Sequence, residues 1–423
     1  MYPRILPVLL LSVLASVATV SVATAGDSLD KAQLATLKSA TTYILAITGK
    51  DTGATGSGFL ARKSGKTGYI VTNHHVVRPG GKLANLFVVF DSGTPKQERL
   101  GAKLVSEDVA RDLAVLSDEF DKLPEPLAID VASEPVETQN LFVLGFPFGE
   151  SMSASAKHPA VTISRAGVSS LRRDDQGRLV TVQLDGALNP GNSGGPVIAA
   201  NGKVVGVSVA SILGAQIGLA IPALEVDELL SGRPLGITVT GTVSKAGNAK
   251  VDCVVTFADP LSRITGATLL AIPMDKAAVL PQVGADGSYV RLAQGMKEYP
   301  LRVIDGKATT SMVIKSEDGQ SKVSYYVQVR TTIAGRPQRY FEWSKVVIDL
   351  AANAKTEVAA GFGQARHKDE SKEAKGDGDA AKDAPAKDTP TKDAPAKDSP
   401  AKELPAKDVP GTEPPVKKPD TTE

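Results

Sequence analysis

Ser193 stands in the stretch Asn189-Pro190-Gly191-Asn192-Ser193-Gly194-Gly195-Pro196, between apolar runs at 179–184 and 197–200. Three glycines around one serine allow a tight turn and leave amide N–H groups unshielded by side chains, which is what an oxyanion hole requires. A serine hydroxyl is a poor nucleophile at neutral pH, so the stretch needs an imidazole base and a carboxylate to orient that base. Both residue types occur beside apolar runs. Thr72-Asn73-His74-His75-Val76-Val77 ends one, and Arg111-Asp112-Leu113-Ala114-Val115-Leu116 opens another. The chemistry within reach is nucleophilic catalysis by a serine, with its parts in the chain order His, Asp, Ser.

The elements that must position these residues are short strands. Six runs rich in β-branched or aromatic residues, at 43–48, 58–62, 69–72, 86–90, 102–106 and 113–116, are separated by Gly, Pro, Asp or Asn. Six more follow at 141–145, 161–170, 179–184, 196–198, 204–210 and 217–221. Evenly spaced short strands point to antiparallel barrels. A short helix is expected over 30–40, and another over 222–230 with Pro222 in its first turn and Gly232 as its stop. Lys plus Arg (48) nearly cancels Asp plus Glu (47) in the 423 residues. That balance gives no electrostatic reason to expect nucleic acid as a partner.

Taken together, the stretches TNHHVV, RDLAVL and LNPGNSGGPV resemble the trypsin-like serine peptidases of the HtrA (Deg) type. Gly56-Ser57-Gly58-Phe59 and Gly145-Phe146-Pro147-Phe148-Gly149 add weaker matches, and the resemblance covers roughly residues 40–230. It implies a mainly β fold with a chymotrypsin-like double six-stranded β-barrel. The active site would lie in the cleft, with His75 and Asp112 on the first barrel and Ser193 on the second. In the family the base directly precedes the Val-Val pair, which selects His75 over His74. Ser193 is then expected to attack a peptide carbonyl, His75 to take its proton, Asp112 to orient the imidazole, and the N–H groups of Gly191 and Ser193 to hold the oxyanion. The resemblance places Ala187, six residues before the nucleophile, at the base of the substrate pocket, with walls from Val207, Ser208, Ile212 and Leu219. These residues imply a preference for small or medium aliphatic side chains. Asp185 matches an aspartate near the pocket in relatives, with its role left open.

The rest of the chain falls outside that resemblance. Residues 1–25 read as a secretory signal: Arg4, an apolar run over 5–22 and the small-residue ending Ala23-Thr24-Ala25. Export to the periplasm or outside the cell is therefore expected, with no stable membrane insertion after cleavage; an uncleaved anchor is the alternative. Cys253, the only cysteine, lies in an apolar run and reads as a buried thiol. Residues 236–352 show no PDZ-like pattern. Seven strand-like runs there, at 237–243, 251–257, 267–272, 301–304, 309–314, 322–332 and 340–350, with Asp-Gly turn signals at Asp286, Asp305 and Asp318, predict an immunoglobulin-like β-sandwich. Its aromatic residues Tyr325, Tyr326, Tyr340, Phe341 and Trp343 read as core packing rather than a binding face.

From 364 to 423 apolar character is lost. Six pentapeptides of the AKDAP kind occupy 381–410, with six lysines against six acids and a proline every fifth residue, so a disordered spacer is expected. No metal or other cofactor is called for, since the sequence has neither a Cys/His cluster nor an HExxH run. The expected domains are thus 1–25 (signal), 30–232 (peptidase), 236–352 (sandwich) and 364–423 (tail). The expected partners are unfolded or extended polypeptides, with homo-oligomerisation left open. Two function classes are left standing: a secreted serine endopeptidase, and a relict peptidase fold that binds or scaffolds through its sandwich. The intact set of His75, Asp112 and Ser193 favours the first.

Overall fold

A computed structural model describes residues 28–362, apart from 51, 155–156, 187, 210–216, 244–247, 278–282, 285–286, 316–320 and 351–354. The signal-like segment 1–25 and the repeat tail 364–423 lie outside the described residues. Helix α1, Lys31–Ala40, begins at a reciprocal cap: Asp30 accepts from the Gln33 amide while the Gln33 side chain accepts from the Asp30 amide. That satisfies two of the donors a helix N-terminus leaves unpaired.

Strands β1 (Thr41–Gly49), β2 (Thr52–Ser64), β3 (Thr67–Thr72), β4 (Asn85–Phe90), β5 (Glu98–Asp108) and β6 (Leu113–Glu119) close into a barrel in the order β1-β2-β3-β6-β5-β4. A second set repeats the winding: β7 (Asn140–Gly145), β8 (Thr162–Arg173), β9 (Leu179–Asp185), β10 (Pro196–Ile198), β11 (Val204–Val209) and β12 (Ile217–Pro222) close as β7-β8-β9-β12-β11-β10. Alternation along β7 shows how the barrels meet. Leu141 and Val143 point into the second barrel's own core, while Phe142 and Leu144 join the cluster built around the first barrel. Between β3 and β4 sits a one-turn helix, α2 (His74–Val77), and after β12 comes α3 (Ala223–Ser231), which ends at Gly232 with φ 111°. None of the described helices is long and apolar enough to cross a membrane.

Eight further strands follow: β13 (Arg233–Val243), β14 (Asn248–Ala258), β15 (Ile264–Pro273), β16 (Lys297–Leu301), β17 (Lys307–Lys315), β18 (Lys322–Ile333), β19 (Arg339–Asp349) and β20 (Lys355–Gly361). They form two four-stranded sheets, β17-β14-β13-β20 and β16-β15-β18-β19, which share one core of residues such as Val239, Cys253, Leu269, Val327 and Val346. This is a β-sandwich with one strand more than expected, because β20 adds to the free edge of β13. The run expected as a strand at 301–304 is corrected: the strand is Lys297–Leu301, and 304–307 is a two-residue hairpin turn on Asp305 (φ 48°) and Gly306 (φ 70°). Of the other Asp-Gly signals, Asp286 and Asp318 lie outside the described residues. Tyr326, Tyr340 and Trp343 pack on a small separate cluster with Leu270, Leu292 and Met296.

Candidate active site

The first barrel brings a histidine and an aspartate together at one end of two paired strands. Thr72 at the end of β3 lies opposite Ala114 near the start of β6, so the residues just outside those positions meet. Val76 and Val77 bury α2 against the core, which fixes the two histidines at its start. Asp112 follows a single 3-10 turn, Val109–Arg111, and adopts the left-handed conformation (φ 53°, ψ 43°). Its backbone carbonyl accepts from the Asn73 side chain (2.8 Å) and the His74 amide (3.2 Å).

Both oxygens of the Asp112 carboxylate go to one residue. The His75 amide donates to Oδ1 at 2.9 Å, and the His75 ring nitrogen Nδ1 lies 2.7 Å from Oδ2. A carboxylate there favours the proton on Nδ1, which leaves Nε2 as the free acceptor. His74 faces a different acid: its Nε2 lies 3.4 Å from Glu107. Glu107 is already gripped by the Arg78 fork at 2.7 and 2.8 Å, whose hydrogen bonds hold its carboxyl below the usual carboxylate range.

The serine comes from the loop between β9 and β10. Gly191 (φ 99°) and Gly194 (φ 87°) take backbone angles that favour glycine, and each is also pressed against other chain. A β-carbon at Gly191 would strike the Phe146 carbonyl oxygen, and one at Gly194 would strike the Ser57 carbonyl and the Thr72 hydroxyl. Inside the second barrel, the Gly194 amide donates to the Ser208 carbonyl (2.9 Å), and the Ser208 hydroxyl donates to the Asn192 carbonyl (2.6 Å).

Ser57 on β2 clamps the same loop to the first barrel. Its amide donates to the Ser193 carbonyl (2.8 Å), its hydroxyl donates to the Gly191 carbonyl (2.6 Å), and that hydroxyl accepts from the Phe146 amide (3.0 Å). Thus the two weaker motifs, around Ser57 and Phe146, form the seat of the serine loop. Their pairing joins residues far apart in the chain, so nothing local in the sequence announces it.

Ser193 is buried, 6% exposed, whereas the His75 side chain is 46% exposed. The serine hydroxyl and the His75 ring share no hydrogen bond in this structure. Among the described residues, neither the Gly191 nor the Ser193 amide is spent on a backbone hydrogen bond.

Of the expected pocket residues, Ala187 and Ile212 lie outside the described residues. Val207 is fully buried in the core cluster the two barrels share, opposite Ile221. The hydroxyl of Ser208 is committed to the serine loop, and Leu219 is half-buried opposite Val209. Asp185, at the end of β9, turns its carboxylate onto β8, where it accepts from the Gly167 amide.

Comparison with known proteins places this geometry. The family model "Trypsin-like peptidase domain" matches residues 56–207, a span that holds Ser57, His75, Asp112 and Ser193. The chain is 35% identical over 188 residues to the "Probable periplasmic serine endoprotease DegP-like" of Chlamydia trachomatis, covering 42% of this chain and 34% of that protein. To "Serine protease Do-like HtrA" of Bacillus subtilis it is 33% identical over 183 residues, 42% of this chain and 39% of that one. A DegP-like relative from Hahella chejuensis aligns over 276 residues at 29% identity, 63% of this chain and 55% of the relative. The chain therefore spans little more than a third of the first two relatives. Residues 56–207 thus match the trypsin-like peptidase domain, and the chain is similar in sequence to serine proteases named HtrA and DegP-like.

Proposed function

We propose that the protein is an exported serine endopeptidase. The observation that carries this reading is the His75–Asp112 pair, joined at 2.7 Å on the first barrel, with the Ser193 loop seated on the same barrel through Ser57. Ser193 attacks a peptide carbonyl while His75 Nε2 takes its proton, and a tetrahedral intermediate forms. The amides of Gly191 and Ser193 stabilise its oxyanion; in such sites one donor contributes roughly 3–4 kcal/mol. The imidazolium, steadied by Asp112, then protonates the leaving amine, and water resolves the acyl-enzyme by the same steps in reverse. The proton transfers and charge stabilisation are supplied by side chains and amides, so the scheme needs no metal.

Unfolded or extended polypeptides are the substrates this reading implies, since a peptide bond must be laid out to reach Ser193, which is 6% exposed. The apolar setting of Val207 and Leu219, with the Asp185 carboxylate bound to the Gly167 amide instead of free, supports cleavage after small or medium aliphatic residues. The word "periplasmic" in the names of relatives, together with the signal-like start, supports export. A relict fold is the weaker reading, since a decayed site gives no reason for both Asp112 oxygens to be spent on His75. Casein hydrolysis by the full chain tests the proposal. Cleavage that is lost in a folded Ser193→Ala variant and unaffected by chelators is expected; no cleavage by the parent protein would favour the scaffold reading.

A further inference from the structure

Arg111, the residue just before Asp112, is the most enclosed cation near the site: its side chain has no exposure at all. It is held from four directions. Asp108 accepts from its amide (3.2 Å) and lies 3.3 Å from its Nη1. Glu225 on α3 lies 2.7 Å from Nε. From the sandwich, the Phe362 carbonyl accepts from Nη1 at 2.6 Å and the Glu342 carboxylate on β19 lies 3.4 Å from Nη2. A guanidinium donates in a rigid fork, so contacts of this kind fix its orientation and not only its charge.

The next residue pays a conformational cost. Asp112 is a non-glycine residue in the left-handed region, at φ 53°. Such a conformation persists only where the surroundings over-determine it. The turn Val109–Arg111 supplies the constraint, since the Asp112 amide donates back to the Val109 carbonyl at 3.3 Å while Arg111 is bolted below.

We infer that Arg111 is a positioning residue for Asp112, and that the β-sandwich takes part in shaping the active site by holding Arg111 through Glu342 and the Phe362 carbonyl. The kinetic side of this inference rests on the proposed peptidase activity; its structural side does not. The sandwich is then a brace for the acid of the site, and loosening the Glu342 end would reach His75 through the turn.

The test is low-field proton NMR of the His75 Nδ1–H in the full-length protein, assigned by its disappearance in His75→Ala. Arg111→Lys keeps the charge but loses the fork, and Glu342→Gln keeps the shape but loses one charge. Expected is a shifted or broadened signal in folded variants of both kinds, larger for Arg111→Lys. In that variant kcat should fall on the order of tenfold with KM little changed, a loss typical of a small misplacement. A parental signal in a folded variant overturns the inference, whatever kcat does. If Arg111→Lys does not fold, Glu342→Gln alone decides, because its partly exposed side chain makes the weaker contact. If the parent turns over no peptide, the proposed activity falls while the imidazole signal still decides the role of Arg111.

Discussion

Two adjacent imidazoles are told apart by the carboxylates they meet. His75 has both oxygens of Asp112, whereas His74 lies beside Glu107, which Arg78 already holds. His75→Ala is therefore expected to lower kcat/KM on a peptide by at least about a thousandfold, and His74→Ala to change it by less than about threefold, because the His74 ring faces Glu107 and its amide hydrogen bond to Asp112 survives the substitution. The reverse ranking would assign the base to His74. At Cys253, burial pushes the thiol up to about 12, with Asp252 adding to the effect. The fold favours the neutral thiol, so this contribution to stability is full below the ordinary thiol value of about 8.5 and is lost as pH rises from there toward the folded value. Urea unfolding at pH 8 and pH 10 should show that loss, and Cys253→Ala should reduce it. The buried thiol was legible in the run 251–257, since its neighbours are apolar. The role of Ser57 was not, because its hydrogen bonds reach 134 and 89 residues along the chain.

Among the elements, strands with β-branched alternation were legible and strands without it were not. All twelve barrel strands fall where their apolar runs lie. By contrast, β16 reads Lys-Glu-Tyr-Pro-Leu with Pro300 inside it, and β20 reads Lys-Thr-Glu-Val-Ala-Ala-Gly; each is an edge strand whose place is set by its neighbour. Helix α3 carries the opposite lesson. Its acids Glu225, Asp227 and Glu228 are all buried. Their partners arrive from elsewhere: Arg178 before β9, Arg233 at the start of β13, and Arg336 and Arg339 from the sandwich. For Asp227, burial pushes the carboxyl up, but the Arg336 fork, aided by Arg339 and Arg62, outweighs it and holds the group below its ordinary value. The stabilisation is thus present above about pH 4, the unfolded value, and lost as pH falls through the depressed folded one. Thermal unfolding between pH 3 and 7 should lose part of its acid sensitivity in Asp227→Asn. That variant should also be destabilised by about 3 kcal/mol at pH 7, because the arginines around it keep their charge without a counter-ion. An unchanged acid limb would mean the pairs contribute nothing.

For the whole molecule, the two six-stranded barrels were legible in the spacing of strands, but their joint with the strands that follow was not. The ion pairs that connect α3 to the sandwich link residues about a hundred apart, such as Asp227 and Arg336, and no periodicity records them. The tail is a different case, since residues 364–423 are expected from their composition to be a spacer. Ending the chain at Gly363 should leave the cleavage rate of a small peptide unchanged, and a large loss would give the tail a part in the site. A peptide-library profile should likewise show cleavage after Val, Ala or Leu; dominant cleavage after Arg or Lys would mean that Asp185 leaves Gly167 and enters the pocket. Serine catalysis itself is tested most directly by treating the full chain with an active-site phosphonate and mapping the modified peptide by mass spectrometry. One adduct on the Ser193 hydroxyl, absent from folded Ser193→Ala and His75→Ala, is the expected result. A folded protein that hydrolyses casein yet takes up no label at Ser193 would contradict it.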